Sequence, residues 1–226
     1  MLSAVLWDID GTLVRSNGVV GRAFLDAVET VCGARPQPGA VDFGGRLDPH
    51  ISADLVAAAG GRPEQAPDVL AEYEALVAAN QYTLREHVQV LPGVRAMMTA
   101  VAAANIPQTV VTGNIESVGR FKLDAAELVP PIDVTLGGYG GSGADRTAVA
   151  QSALNLLADA GWDGAPESCW VVGDTPRDLA CAQPLGLSCA LVATGRHSFA
   201  ALSELGAHLV LTDLTDSAAL RSAWFG

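Results

Sequence analysis

The sequence predicts an α/β fold, a parallel sheet covered on both faces and interrupted once by an all-helical insertion. Three observations predict it. Short apolar runs of strand length recur with few polar positions, as strands buried on both faces require. Alanine-rich stretches of helical length alternate with them, which implies right-handed crossovers between parallel strands. From about Arg15 to His87 the alternation stops, and no run of strand character is present.

Taken in order, Ala4–Ile9 is the first strand, ending in acids. Residues 108–111, 132–136, 169–172, 188–192 and 208–211 read as further strands, and 92–105, 115–127, 144–161, 175–184 and 198–206 as helices. Inside the interruption, helical stretches are expected near 18–32, 48–60 and 63–82, punctuated by Pro36, Pro38, Gly44-Gly45, Gly60-Gly61 and Pro63. Residues 1–14 and 88–226 therefore form the expected core, and 15–87 a helical insertion after the first strand.

Composition narrows the function. Of 226 residues, 50% are apolar and 17% charged, enough for a real core and against global disorder. No apolar stretch reaches the roughly 18 residues of a membrane helix. The net charge of −12, from 25 acidic and 13 basic residues, repels nucleic acid and anionic membranes. Lys122 is the sole lysine. Cys32, Cys169, Cys181 and Cys189 show no CxxC pairing, and the N-terminus lacks a signal-peptide pattern, so a cytoplasmic location is expected.

Three strand ends carry chemistry. The first strand runs into Asp8-Ile9-Asp10-Gly11-Thr12. Paired carboxylates at a strand's carboxyl end sit where open α/β sheets place ligands, and Gly11 permits a sharp turn and close approach. Val110-Val111 runs into Thr112-Gly113-Asn114 before a helix, which offers a hydroxyl and free N–H groups to an anion. Val171-Val172 runs into Gly173-Asp174-Thr175-Pro176-Arg177-Asp178, whose hard oxygens suit Mg²⁺. Each alone is also an ordinary turn, N-cap or acidic first helical turn. Three at the ends of strands in one parallel sheet are not explained that way.

With these motifs in this order, the chain resembles the haloacid dehalogenase superfamily, in its phosphatase branch. The resemblance covers essentially the whole chain and includes the helical insertion, which is similar to that family's cap. It implies a Rossmann-like parallel sheet core with an inserted all-helical cap. It implies Asp8 as a nucleophile forming an aspartyl-phosphate, and Asp10 as general acid and base. Mg²⁺ would be held by the Asp8 carboxylate, the Asp10 carbonyl and Asp174, with Asp178 supporting. Gly11, Thr112, Gly113 and Asn114 would meet the phosphate, and the substrate would be a small phosphorylated metabolite.

The family supplies a basic residue, normally lysine, between the second and last motifs. Lys122 falls earlier than the usual place, whereas Arg146, opening a helix after a glycine-rich segment, sits at it. The role is therefore assigned to Arg146, and Lys122 is read as a solvated helix residue. Phe43-Gly44-Gly45-Arg46-Leu47-Asp48-Pro49-His50 is similar to a substrate-selecting cap loop, in which Arg46 meets a second anionic group; an ordinary loop with a solvated Arg46 fits equally.

Other readings compete. Gly138–Gly143 matches GxGxxG and suggests dinucleotide binding, but no acidic residue stands at the next strand's end at the required spacing. A phosphomutase shares the intermediate, and a non-catalytic binding protein shares the fold. The four histidines have no metal-ligand spacing, and Thr194-Gly195-Arg196-His197 gives a weak signal of rimming the site.

Overall fold

A computed structural model describes residues 2–37, 39–141, 143–215 and 218–226. Pro38, and Ser142 within the Gly138–Gly143 segment, lie outside the described residues. In chain order the elements are β1 (Ala4–Trp7), β2 (Val14–Arg15), α1 (Val19–Cys32), α2 (Asp48–Ala58), α3 (Ala66–Ala79) and α4 (Gln81–Arg85). Then come β3 (Gln89–Val90), α5 (Val94–Ala103), β4 (Gln108–Val110), α6 (Glu116–Ala125), α7 (Arg146–Asp159) and β5 (Cys169–Gly173). The last are α8 (Pro176–Ala182), β6 (Ser188–Val192), α9 (Phe199–Ser203), β7 (Leu209–Leu211) and α10 (Ala218–Phe225).

The main sheet has the order β4-β1-β5-β6-β7, and every pairing is parallel. In β1, Trp7 stands beside Val110 on one flank and Val172 on the other. The chain order reverses at β1, and the strand ends flanking such a switch point form a crevice. Because β4 and β5 are the two neighbours of β1, three motifs distant in sequence finish at one edge.

Side-chain alternation divides the sheet between two cores. Val5, Trp7, Trp170 and Val172 face a layer with Met97, Met98 and Val101 of α5 and Trp224 of α10. Ala4, Leu6, Cys169 and Val171 face Val149, Ala153 and Leu157 of α7 and Leu179 of α8. This period of two is what a strand covered on both faces imposes. The buried Trp7 indole is satisfied: its Nε1 donates to Gln108 Oε1 at 3.2 Å, and Gln108 Nε2 donates to the Met98 carbonyl. Cys169, Cys181 and Cys189 are buried.

The chain leaves and re-enters the sheet region through β2 and β3, which pair antiparallel. Every named helix and turn between them is helical, and α1, α2 and α3 share a third core. That core includes Ile115, Val118 and Phe121, so α6 also packs against the inserted helices.

Two expectations need correction. Residues 132–136 are not a strand: Val134–Leu136 is a 3-10 turn capped by Asp133, whose carboxylate accepts the Thr135 N–H. Pro130 and Pro131 bring no N–H groups to a ladder, and the segment touches the sheet edge through Asp133 N–H to the Gln108 carbonyl and a bridge at Gly138. The expected 63–82 helix is a 3-10 turn at Pro63–Gln65 followed by α3, with α4 beyond Asn80. The β2–β3 ribbon and α10 are additions to the expected set.

Candidate active site

Asp8 follows β1 directly and is 3% exposed; Asp10 stands two residues on, in a tight turn closed by Leu13 N–H to the Ile9 carbonyl. Asp174 follows β5, and Asp178 lies in the first turn of α8. Asp178 caps its own helix: its Oδ2 accepts the Thr175 N–H at 3.0 Å and the Thr175 hydroxyl at 2.8 Å, a reciprocal capping arrangement.

Arg146, at the start of α7, reaches back into this group. Its Nη2 donates to Asp8 Oδ1 at 2.7 Å, to Asp178 Oδ1 at 2.5 Å and to the Val111 carbonyl at 3.2 Å. One guanidinium thus ties the ends of β1 and β4 to the first turn of α8. The Asp178 oxygens are both occupied, while Asp8 Oδ2 has no hydrogen bond among the described residues.

Asp174 is confined by two glycines. A Cβ on Gly11, where φ is +83°, would fall 2.5 Å from Asp174 Oδ2, and one on Gly195 would fall 1.6 Å from the same atom. Only glycine lets both loops close on that carboxylate. Thr194 and Gly195 therefore belong to the site, which the weak signal at that segment only hinted at.

The second cation is Lys122, and here the structure corrects the sequence reading. It is not a solvated helix residue; its side chain is 5% exposed. Its Nζ donates to Asp10 Oδ2 and to Asn114 Oδ1, each at 2.6 Å. Asn114 Nδ2 in turn donates to Asp10 Oδ2 at 2.8 Å and to Thr112 Oγ1 at 2.7 Å. The Asn114 backbone N–H is directed to Thr112 Oγ1 at 3.3 Å, so the loop is held partly by its own threonine.

The inserted segment sits on that loop. The Asp48 N–H donates to the Gly113 carbonyl at 2.8 Å, and Asp48 Oδ2 accepts the Ile115 N–H at 2.9 Å, satisfying an orphan donor at the start of α6. A Cβ on Gly113 would fall 1.9 Å from the Arg46 carbonyl oxygen. The Arg46 guanidinium is paired with Asp54, its Nη2 2.5 Å from Asp54 Oδ2. The glycine-rich segment backs the same loop, since a Cβ on Gly140 would fall 2.1 Å from the Gly113 carbonyl oxygen. Close backbone packing accounts for those glycines without a dinucleotide.

Sequence reasoning missed Asp48 and Tyr73, which line the same cavity as Asp8 and Asp10. An Asp-Pro helix start signalled Asp48 only as a terminus, and no local pattern marks Tyr73. The cavity encloses about 440 Å³ and reaches His197, whereas His208 is a packed histidine that accepts the Cys189 N–H.

The electrostatics call for a cation. Ligand oxygens of Asp8, Asp174 and Asp178 lie within 4.8 Å of one another. Burial, followed by the charges of Asp8 and Asp178, pushes the Asp174 carboxyl up to about 9. Burial raises Asp8 to about 7, aided by Asp178 and opposed by Arg146. Three buried carboxylates facing one guanidinium carry excess negative charge, so the donor set, all hard oxygen, fits a divalent cation.

The model of the haloacid dehalogenase-like hydrolase family matches residues 5–183. The chain belongs to that family. It is 28% identical over 223 residues to a phosphoglycolate phosphatase of Chromobacterium violaceum, covering 95% of this chain and 94% of that one. It is 29% identical over 220 residues to a phosphoglycolate phosphatase of Rhodospirillum rubrum, covering 94% and 88%. A crystal structure of a predicted phosphatase from Clostridium acetobutylicum shares the fold with TM-score 0.76, at 16% identity and 99% coverage of both chains. Among the described residues no helix is long and apolar enough to cross a membrane.

Proposed function

We propose that this member of the family is a cytoplasmic Mg²⁺-dependent phosphatase that hydrolyses a small phosphorylated metabolite through an aspartyl-phosphate on Asp8. The observation that carries the reading is the group of Asp8, Asp174 and Asp178 oxygens within 4.8 Å, with Arg146 paired to Asp8 and Asp178 and with Asp8 and Asp174 lining a cavity. The names of the two curated relatives support the reaction class. Residues 1–14 and 88–226 act as the catalytic core, and 15–87 as a cap that covers the cavity and excludes water.

An Asp8 carboxylate oxygen attacks phosphorus, the ester P–O bond breaks, and Asp10 gives its proton to the departing alcohol oxygen. Asp10 then takes a proton from water as that water attacks phosphorus. The P–O bond to Asp8 breaks, releasing inorganic phosphate and restoring both carboxyl groups. Thr112, Gly113 and Asn114 hold phosphate oxygens beside Gly11, and Arg146 fixes Asp8 while offsetting charge. Lys122 and Asn114 hold Asp10 toward the cavity. Mg²⁺ bound by the Asp8 and Asp174 carboxylates and the Asp10 carbonyl would neutralise charge on the phosphate oxygens, while Asp178, with both oxygens engaged, supports Arg146 and the α8 start.

Hydrolysis of para-nitrophenyl phosphate by the wild type with Mg²⁺, by the wild type with EDTA, and by Asp8→Asn tests the reading. Release that needs the metal and vanishes in the variant is expected. Undiminished release from Asp8→Asn overturns the assignment of the nucleophile.

A further inference from the structure

Apart from Asp48, the side chains that the inserted helices place on the cavity wall are mostly apolar. Val20 and Phe24 come from α1, Ile51 from α2 and Tyr73 from α3. Tyr73 stacks on Phe24 with ring centroids 4.1 Å apart and planes 6° from parallel, and the residue is 2% exposed. Among the described residues nothing hydrogen-bonds its hydroxyl. The fully enclosed side-chain polar atoms without a partner are Arg120 Nε, Arg146 Nε and Trp224 Nε1, so the Tyr73 oxygen touches the cavity it lines. That hydroxyl is open to water or to a ligand in the cavity and has no protein partner to compete for its hydrogen bond.

Of the five lysine and arginine side chains lining the cavity among the described residues, four are paired with carboxylates. Lys122 holds Asp10, Arg146 holds Asp8 and Asp178, Arg46 holds Asp54, and Arg196 holds Asp42. Arg15 donates to the Thr194 carbonyl at 2.7 Å. The buried Asp48 carboxyl borders the same cavity. A carboxylate brought to this wall would lose water and face Asp48.

We propose that Tyr73 selects the substrate: the alcohol released by the enzyme is uncharged, lays its carbon skeleton on the Phe24–Ile51 wall and accepts or donates one hydrogen bond at the Tyr73 hydroxyl. The inference rests on the phosphatase reading above and narrows it to phosphate esters of neutral hydroxylated alcohols, as opposed to carboxylated ones.

Three small esters test it on the full chain with Mg²⁺. 2-Hydroxyethyl phosphate and 2-phosphoglycolate differ in a terminal hydroxyl against a carboxylate, and ethyl phosphate lacks both. Wild-type kcat/KM is expected to be roughly tenfold higher for hydroxyethyl phosphate than for either of the others. In Tyr73→Phe, which keeps the stacked ring, the hydroxyethyl-to-ethyl ratio should fall to about 1. A general packing defect would lower both rates and leave the ratio alone. A preference for phosphoglycolate, or a ratio unchanged in Tyr73→Phe, overturns the proposal while hydrolysis of para-nitrophenyl phosphate leaves the phosphatase reading standing. Failure to hydrolyse any of the four esters sinks both.

Discussion

Lys122 Nζ lies 2.6 Å from Asp10 Oδ2, whereas Arg146 Nη2 lies 2.7 Å from Asp8 Oδ1. The two cations are therefore divided between the two carboxylates of the first motif. Asp8 is bound from the α7 side together with Asp178, and Asp10 from the α6 side together with Asn114. This division gives each basic residue its own expected phenotype.

Lys122→Met removes the ammonium but keeps an unbranched chain to fill the space. Asp10 keeps only Asn114 as a partner, so its orientation toward the leaving oxygen loosens. Turnover should fall roughly tenfold or more, a fraction of the full worth of general acid–base catalysis. The Asp10 side chain is 44% exposed, so solvent screens its lost charge and stability should change little. Steady-state kcat together with urea unfolding checks both parts. Wild-type turnover in Lys122→Met would remove Lys122 from the positioning of Asp10.

Arg146→Ala should behave differently, because the residue is buried against two buried carboxylates. Removing one partner of a buried ion pair strands the remaining charges, at a cost of about 3–5 kcal/mol. Urea unfolding at neutral pH should show that loss together with loss of turnover. Arg146→Lys restores one point charge but not the guanidinium that spans Asp8, Asp178 and the Val111 carbonyl, so it should recover stability better than activity. A stability equal to that of the wild type in Arg146→Ala would contradict the tie between the strand ends.

The confinement of Asp174 also has a measurable consequence. Gly195 has no left-handed backbone requirement, so Gly195→Ala tests space alone: the new Cβ would fall 1.6 Å from Asp174 Oδ2. The carboxylate must move, and the Mg²⁺ concentration giving half-maximal activity should rise roughly tenfold to a hundredfold. Gly141→Ala, where an added Cβ meets nothing within 4 Å, is the matched control and should titrate like the wild type. An unchanged Mg²⁺ requirement in Gly195→Ala would argue against Asp174 as a ligand.

Legibility in the sequence followed the range of the interaction. Asp8, Thr112 and Asp174 were readable because each follows a strand, and parallel neighbours bring their ends together. Helices such as α1 and α7 were readable from composition and length. Lys122 was misread because its partner Asp10 is 112 positions away, so nothing local separates a buried lysine from a solvated one. Residues 132–136 had strand composition, but Asp133 capping and the preceding prolines decided the outcome. The β2–β3 strands contain two residues each, too short to display a period. Gly195 and Tyr73 matter through what they touch, and a single sequence does not state that.

Asp48 gives a pH-dependent prediction for a group that is not itself a proposed metal ligand. Burial raises its carboxyl from 3.8 to about 7, opposed by Lys122 of α6 and the Ile115 N–H, and reinforced by Asp10 beyond β1. Tyr73 of α3 also faces it. The folded state therefore binds this proton more tightly than the unfolded chain does. By linkage, stability falls as pH rises from the unfolded value near 3.8 to the folded value near 7, then levels off. Asp48→Asn keeps an oxygen for the Ile115 N–H and never ionises. Its stability relative to the wild type should therefore improve between pH 4 and 7 by at most about 4 kcal/mol and stay constant above. Urea unfolding of both proteins at pH 5, 7 and 9 reads this directly. A difference independent of pH would mean that Asp48 ionises as freely in the folded chain as in the unfolded one.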